Sequence, residues 1–539
     1  MLARRTQDPD YWRTFVPGSE DLAYIYDLVV ETGRPMATTE LARAAVYRRV
    51  HQERERMREL LERGRFYRPA DAYEEGEEII FPTLDFAAGV VVGRREGHWP
   101  GHAPFRVIAV RFDDSTREFA SELSEPHVLN ESGERGDDLS EGLSPATAYE
   151  RFGASVPEAL ERALNGQSER GFVLFGHRWF LRSLMPDVHI GYLNLAEAVV
   201  EVSWEAAGAG GGWQRPFPTD EILSQIDLQG AHSHEVARFA LELALSSDER
   251  FVDVGSEGEP RWLLRRLVPD HVTEVPPRLK YVPIPFSIEA IPTEALNLIW
   301  AIPDELSTMA SAGAQAEERR TLDVVLTYPH ARAGTLPVTA AMAAILPKRE
   351  DGVSVITLVD EGNDERLTAW VSHSNRCISS LREWYDRQQV PAGAFITLTR
   401  TGKPDVYTIA CRAKRRTQRE YVRVDIVEGD KLTFEIRRQP MAIEFDETMV
   451  MLDDNSESTD RLWRRATSSR RAVSELLREV FSELAKLTPQ GTVHFNTLYT
   501  AINVLRRCPP EPILAELALD WRYIGVGSGY YAMDERVAV

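Results

Sequence analysis

"RFVDVGSEGEPRWLL" (Arg250–Leu264) runs from an aromatic through β-branched aliphatics to a glycine, then through a short polar turn to a second aromatic and two leucines. Alternation of this kind on both sides of a glycine-bearing turn predicts two short antiparallel strands, a small ribbon. The same shape is written twice more, in "GFVLFGHRWFL" (Gly171–Leu181) and in "WRYIGVGSGYYAM" (Trp521–Met533). Glycine lets each ribbon turn, and the aromatics can fill the gap between the ribbon and the helices beneath it.

Working outward from Arg250, "LNLAEAVVEV" (Leu193–Val202) predicts a helix. "PFPTDEILSQI" predicts a second, opened by Thr219 and acidic residues, a helix-start signature. "SHEVARFALELAL" (Ser233–Leu245) predicts a third, with Val236, Phe239, Ala240 and Leu243 turned inward. Three helices and a terminal ribbon describe a winged helix over 191–270. Residues 461–539 repeat the order: Val473, Leu476, Leu477, Val480, Phe481, Leu484 and Leu487 follow helical spacing. "HFNTLYTAINVLRR", "PPEPILAELAL" and the last ribbon then follow. Residues 143–190 form a shorter candidate. Residues 1–65 form a fourth, helical and winged-helix-like, with Leu22, Ile25, Tyr26 and Val29 on one face, a Thr cap in "TTEL" (Thr38–Leu41) and "GRFYRP" in place of a full ribbon. Phe251, Trp262, Trp179 and Tyr530 read as core residues.

Between these pieces the period changes to two. "EEIIFPTLDFAAGVVVGRR", "FRVIAVRFDD" and "TREFASEL" predict a small five-stranded barrel over 66–128. Residues 320–450 are strand-rich again. The expected fold class is therefore α+β and multidomain, with repeated winged-helix units interleaved with two small β-barrel domains. "NESGERGDDLSEG" (Asn130–Gly142), "AAGAGGG" (Ala206–Gly212), "AGAQAEER" (Ala312–Arg319) and "DDNSESTD" (Asp453–Asp460) read as linkers or surface loops.

"PTDEILSQI" followed by "LALSSDERFVDVGSEGEPRWLL" resembles the HARE-type helix-turn-helix domain, which has an Asp-x-Arg-Phe-x-x-Val-Gly step before an apolar wing strand. The resemblance covers 193–268 best and 471–533 less well. The latter has "DWRYIGVG" in place of the step, and the glycine linker after the first helix also departs from the pattern. It places Arg250, Phe251 and Gly255 in structural roles. It implies kinship with polymerase accessory, chromatin and restriction-associated proteins. Residues 325–440 loosely resemble the DNA-binding pseudobarrel of plant transcription factors and of restriction-enzyme effector domains. Leu336, Pro337, Trp370, Trp384, Tyr385 and Gly393 occupy its places, and Ala394 stands where that family usually has Asp.

Across the 539 residues the formal net charge is −21, so attraction to nucleic acid must come from local basic patches. Two stand out. "RAKRRTQREYVR" carries Arg412, Lys414, Arg415, Arg416, Arg419 and Arg423; "RLWRRATSSRR" carries Arg461, Arg464, Arg465, Arg470 and Arg471. Either can neutralise phosphates. "GRREGHWPGHAPFRVIAVRF" is a third, basic-aromatic hairpin. The three cysteines, Cys377, Cys411 and Cys508, are far apart and odd in number. They argue against a disulfide framework and for a reducing compartment. With no apolar run of membrane-spanning length and no secretory signal, the expected location is cytoplasmic, with no membrane partner.

Catalytic signatures are missing: no phosphate-binding or dinucleotide glycine loop and no nucleophile elbow. The glycines of "GVGSGYY" precede no helix that could present its N-terminus to phosphate. His232 and His234 lack further ligands nearby, as do His373 and Cys377, so no metal site is expected. The carboxylates of "EFDETMVMLDD" have no lysine beside them. The reading is of a non-enzymatic protein without a small-molecule cofactor that binds double-stranded DNA and serves transcription. Phosphate contacts would come from the two arginine clusters and recognition from the second and third helices of the winged units. A rival reading is a scaffold whose winged helices bind RNA polymerase or another protein, such as a defence-system partner. A third, an enzyme, would need a buried cluster of carboxylates with a lysine.

Overall fold

A computed structural model of the chain describes residues 5–84, 87–100, 103–113, 115–131, 144–166, 171–209, 214–228, 230, 232–256, 258–308, 320–347 and 352–534. Most of the linker read at 130–142, residues 210–212 of the one read at 206–212, and all of 312–319 lie outside these residues; 206–209, read as linker, instead end a helix that runs Ile190–Ala209. The fold is mixed α and β with several separate sheets. Two compact units divide the chain: 1–187 with 229–240, and 188–228 with 241–539. No helix among the described residues is long and apolar enough to cross a membrane.

In the first unit, α1 (Ser19–Thr32) is closed by Gly33 in the left-handed region at φ 60°, where a residue without Cβ carries no penalty. At its other end Asp21 accepts from the Gly18 N–H at 2.9 Å and from Arg49. A two-residue strand, β1 (Met36–Ala37), leads into α2 (Thr38–Arg63). Five strands follow in sequence order within one sheet, β2 (Arg65–Phe66), β3 (Glu78–Phe81), β4 (Ala87–Gly97), β5 (Phe105–Arg111) and β6 (Thr116–Ser121). This sheet curls: Glu122 and Leu123, just past β6, donate to the carbonyls of Asp71 and Pro69, just past β2. Its core is aromatic, with Tyr67, Phe81 and Phe119 in mutual ring contact.

Two helices, α3 (Pro145–Phe152) and α4 (Val156–Asn165), and two strands, β7 (Phe172–Phe175) and β8 (Arg178–Leu181), complete the unit. β8 pairs with β7 on one side and with β1 on the other, Met36 opposite Trp179. Leu22, Ile25, Leu41 and Val46 share one core with Val156, Leu160, Leu164 and Trp179. Residues 1–65 and 143–190, separate candidates in the sequence, are therefore one body. The β2–β6 sheet is inserted between the second helix and the third.

The second unit holds the same order of elements twice. First come α5 (Ile190–Ala209), β9 (Phe217–Pro218) and α6 (Thr219–Leu223), then residues 241–247 of α7 (His234–Ser247), and β10 (Phe251–Asp253) with β11 (Arg261–Leu264). Their sheet runs β10-β11-β9. Near the C-terminus, α12 (Val473–Ala485), β22 (Thr492–His494), α13 (Phe495–Leu505), α14 (Pro510–Leu519), β23 (Tyr523–Gly527) and β24 (Tyr530–Met533) build a sheet ordered β22-β24-β23. Between them lies a seven-stranded sheet ordered β12-β17-β18-β14-β15-β16-β13. Its strands are β12 (Thr321–Val325), β13 (Leu336–Pro337), β14 (Val353–Asp360), β15 (Arg366–Ser372), β16 (Cys377–Ser379), β17 (Phe395–Arg400) and β18 (Val406–Cys411). Three short helices accompany it, α8 (Tyr328–Ala333), α9 (Ala340–Ile345) and α10 (Arg382–Gln388). Leu336, Trp384 and Tyr385 are in its core. Gly393 sits at φ 87°, and a Cβ there would meet the Val450 backbone N at 2.7 Å. That position admits only glycine.

One hydrogen-bonded device recurs. Trp179 donates its indole N–H to Thr38 Oγ1 at 3.0 Å, and Trp262 donates to Thr219 Oγ1 at 2.9 Å. In both, a threonine opening the second helix is tied to the tryptophan of the last strand. The third repeat keeps the backbone frame, with the Phe495 N–H on the Gly529 carbonyl as the Thr38 N–H is on His177. It has Tyr531 opposite Val493 in place of tryptophan. "DWRYIGVG" has Tyr523 where the Asp-x-Arg-Phe step has phenylalanine, but it keeps the Asp–Arg contact. Asp520 accepts from the Arg522 backbone N–H at 3.1 Å and from its Nε at 2.9 Å, as Asp248 does from Arg250. Phe251, Trp262 and Trp179 are buried. Tyr530 is not: it is 40% exposed, its ring against His494, because β24 turns this residue away from the helices.

Candidate functional site

Two long strands, β19 (Ala413–Glu428) and β20 (Lys431–Ile443), form an antiparallel hairpin closed by Gly429 in the left-handed region. β19 also pairs with β21 (Leu452–Asp453). Val422 and Met441 anchor the hairpin in a small core with Val450. At the open end the register jumps: Ala413 is opposite Ile443, and the next pair is Gln418 with Met441. Four residues, 414–417, thus face one, a bulge that pushes "KRRT" out of the ladder.

The first basic cluster divides on this frame. Arg412 is ion-paired to Asp323 and lies 5.2 Å from the Phe395 ring. Lys414 pairs with Glu420 at 2.8 Å and lies over Phe445. Arg423 donates to the carbonyls of Val450 and Glu447, and burial pulls its pKa down. Arg415, Arg416 and Arg419 are exposed and have no carboxylate partner among the described residues. Beside them stand two residues the sequence reading did not single out. Tyr421 is 69% exposed and faces Arg438 across the ladder, the guanidinium 5.5 Å from its ring. Strand alternation puts Arg419 and Ile436 on that same face.

The second cluster spans α11 (Ser456–Ser468) and the turn after it. "DDNSESTD", read as a linker, is instead the end of a strand and the start of this helix. Asn455 caps it by accepting from the Ser458 N–H at 3.1 Å, and Thr459 donates to Asp453. Arg461 bonds Ser458 Oγ, Arg465 pairs with Asp430 in the hairpin turn, and Arg471 pairs with Glu479 at 2.6 Å. Arg464 and Arg470 have no carboxylate partner among the described residues. Because Arg465 meets the closed end of the hairpin and Arg415–Arg419 stand at its open end, the clusters are roughly 30 Å apart along the strands. In the third basic hairpin Arg95 pairs with Glu118 and Arg106 with Glu122, and Arg94 donates to the Tyr73 carbonyl.

Helix surfaces expected to recognise a partner are spent on packing in the C-terminal repeat. Every residue of α13 is buried, as are Pro510–Ala515 and Leu517 of α14. They pack with Ile291, Ile299, Ile302 and Phe434, so neither helix can enter a groove. In the middle repeat α6 opens on Asp220 and Glu221, the latter paired with Arg215 at 2.8 Å.

Buried carboxylates exist, and one pair of them is met by an arginine. Arg507 binds Asp304 at 2.6 Å and Glu305 at 2.8 Å, with Tyr499 donating to Asp304 and His330 Nε2 at 2.8 Å from Glu305. Burial alone would raise the Glu305 pKa; Arg507 and then His330 outweigh it and hold it well below the usual range. Asp425, fully buried on β19, accepts from Tyr328 at 3.0 Å, and burial with Asp453 nearby pushes it up to about 7. Among the described residues no group of three or more His, Cys, Asp or Glu is placed to hold a metal. No family model, curated protein or solved structure matches the chain.

Proposed function

We propose that this chain is a non-enzymatic protein that binds double-stranded DNA along the β19–β20 ribbon and serves transcription. The observation that carries the reading is the trio Arg415, Arg416 and Arg419, exposed and unpaired on or beside a bulge. Free guanidiniums on a projecting ribbon are suited to phosphate oxygens, and two-stranded ribbons fit a major groove. Tyr421 under Arg438 adds a flat, partly apolar surface between them. Arg464 and Arg470 would supply a second set of phosphate contacts about 30 Å along, close to one turn of a duplex. In this reading the three helix-and-ribbon repeats are winged helices, those over 193–268 and 471–533 of HARE type. The β2–β6 sheet and the β12–β18 sheet are small barrels, the latter of the pseudobarrel kind.

Titration of a mixed-sequence duplex at about 50 and about 200 mM salt tests the proposal. Each phosphate contact contributes about 0.9 to the log–log salt slope, so the Arg415→Gln, Arg416→Gln, Arg419→Gln variant should lower that slope by about 2.7. An unchanged slope removes the ribbon from the interface. A second reading, a protein-binding scaffold, is favoured by the acidic start of α6. Absence of duplex binding at low salt would select it.

A further inference from the structure

The second unit contains a cleft of about 1070 Å³ that lies apart from the β19–β20 ribbon and shares only Arg464 with the duplex contacts proposed above. Six arginines line it: Arg278, Arg332, Arg366, Arg382, Arg387 and Arg464. We propose that this cleft binds an organic phosphate of nucleotide size, carrying a single phosphate group.

The wall chemistry selects the class. Asp460 holds Arg278 and Arg332, and Glu365 holds Arg387 at 2.5 Å, so these guanidiniums are fixed in place. Arg464 enters the lining with no partner of its own. Two further donors of lining residues, the Trp463 indole N–H and Arg332 Nε, are closed off from solvent without an acceptor, an arrangement that costs about 1–3 kcal/mol for each such group and that a ligand relieves once a small side-chain shift opens them to the cleft. The surplus is thus of donors, and an acceptor-rich group is what the wall lacks. Asp270, Glu274 and Glu383 line the same cleft. Their charge disfavours a polyphosphate and leaves one phosphate as the anion the site tolerates. The wall is also strained: Ser380 holds φ 72° while its hydroxyl is 3.0 Å from His271 Nε2. Non-glycine residues persist in that region where surroundings over-determine them, commonly at ligand sites. The volume exceeds one phosphate several-fold, so the ligand carries a base or sugar-sized remainder.

A phosphate of this kind could come from a free nucleotide or from the end of a nucleic-acid strand. Calorimetric titration of the full chain with AMP, with adenosine, and with a 5′-phosphorylated hexadeoxynucleotide separates the sources. At least one phosphorylated probe should bind with Kd below about 1 mM. Arg464→Gln should weaken it about tenfold or more, and Trp463→Phe, which keeps the ring and removes the N–H, about threefold. The Arg415, Arg416, Arg419 triple variant should leave this affinity unchanged, so the cleft and the ribbon stand or fall separately. Binding of AMP alone identifies a free nucleotide, and binding of the strand alone identifies a nucleic-acid end. The proposal is overturned if neither phosphorylated probe binds, if adenosine binds as tightly as AMP, or if Arg464→Gln changes nothing.

Discussion

Asp425→Asn should make the protein more stable at neutral pH, an unusual direction for a change inside a core. Asp425 is fully buried, with Asp453 on the neighbouring strand, Tyr328 donating to it and Arg332 close by. Burial, with Asp453 adding to it, raises its pKa from 3.8 to about 7. Between those values the folded state keeps a proton that the unfolded chain has released. Stability is therefore greatest below about pH 4 and is lost as pH rises to about 7. At 1.36 kcal/mol per unit the loss approaches 4 kcal/mol. Asparagine cannot ionise and still offers an oxygen to Tyr328. For a unit of about 340 residues, an unfolding entropy near 0.7 kcal/mol/K converts that difference to about 6 °C in Tm. Thermal melts of both proteins at pH 5 and pH 8 decide it. The variant should gain on the wild type as pH rises; parallel curves would refute the assignment of a buried proton to Asp425.

Arg507→Met leaves Asp304 and Glu305 buried without their cation. It should cost about 3–5 kcal/mol in urea unfolding, because removing one partner strands the other charges. Thr219→Val deprives the Trp262 indole of its acceptor and Glu242 of a donor, with an expected loss of about 1–3 kcal/mol. Thr38→Val, which deprives the Trp179 indole of its acceptor, should cost a similar amount. A marked disparity between the two threonine variants would mean that the shared hydrogen bond does different work in the two repeats.

Local pattern carried much of the architecture. Helical spacing in 473–484 and glycine-aromatic turns at 171–181, 250–264 and 521–533 are signals confined to a dozen residues, and each falls on a helix or ribbon. Long-range pairing was not legible. Nothing near Met36 announces Trp179 as its partner across the inserted sheet, so the first and third pieces read as separate domains. The same limit applies to the arginine clusters. Their positions were visible, but Arg412 is neutralised by Asp323, 89 residues away in sequence, and Arg465 by a turn residue of the hairpin. Arg438 was findable: in "KLTFEIRRQP", period two and a two-residue turn at Gly429 and Asp430 place it opposite Tyr421. "DDNSESTD" misled because polar residues suit a helix cap as well as a loop.

The proposed duplex binding asks an acidic chain to hold DNA through a small patch, and screening is what permits it. At physiological ionic strength exposed charges further apart than about 8 Å scarcely feel one another. The −21 total therefore lowers the rate of encounter more than the strength of contacts once made. Within reach of the bulge, Glu420 already holds Lys414, so Arg415, Arg416 and Arg419 would meet a phosphate with little local opposition. The buried helices of the C-terminal repeat fit this division. A repeat whose α13 is wholly enclosed contributes rigidity, and the hairpin that packs beside it is left to make contact. On the proposed reading, phosphate contacts set affinity and any sequence preference comes from the face shared by Tyr421, Ile436 and Arg438. Tyr421→Ala should accordingly narrow the gap between preferred and random duplexes while leaving the salt slope as it was.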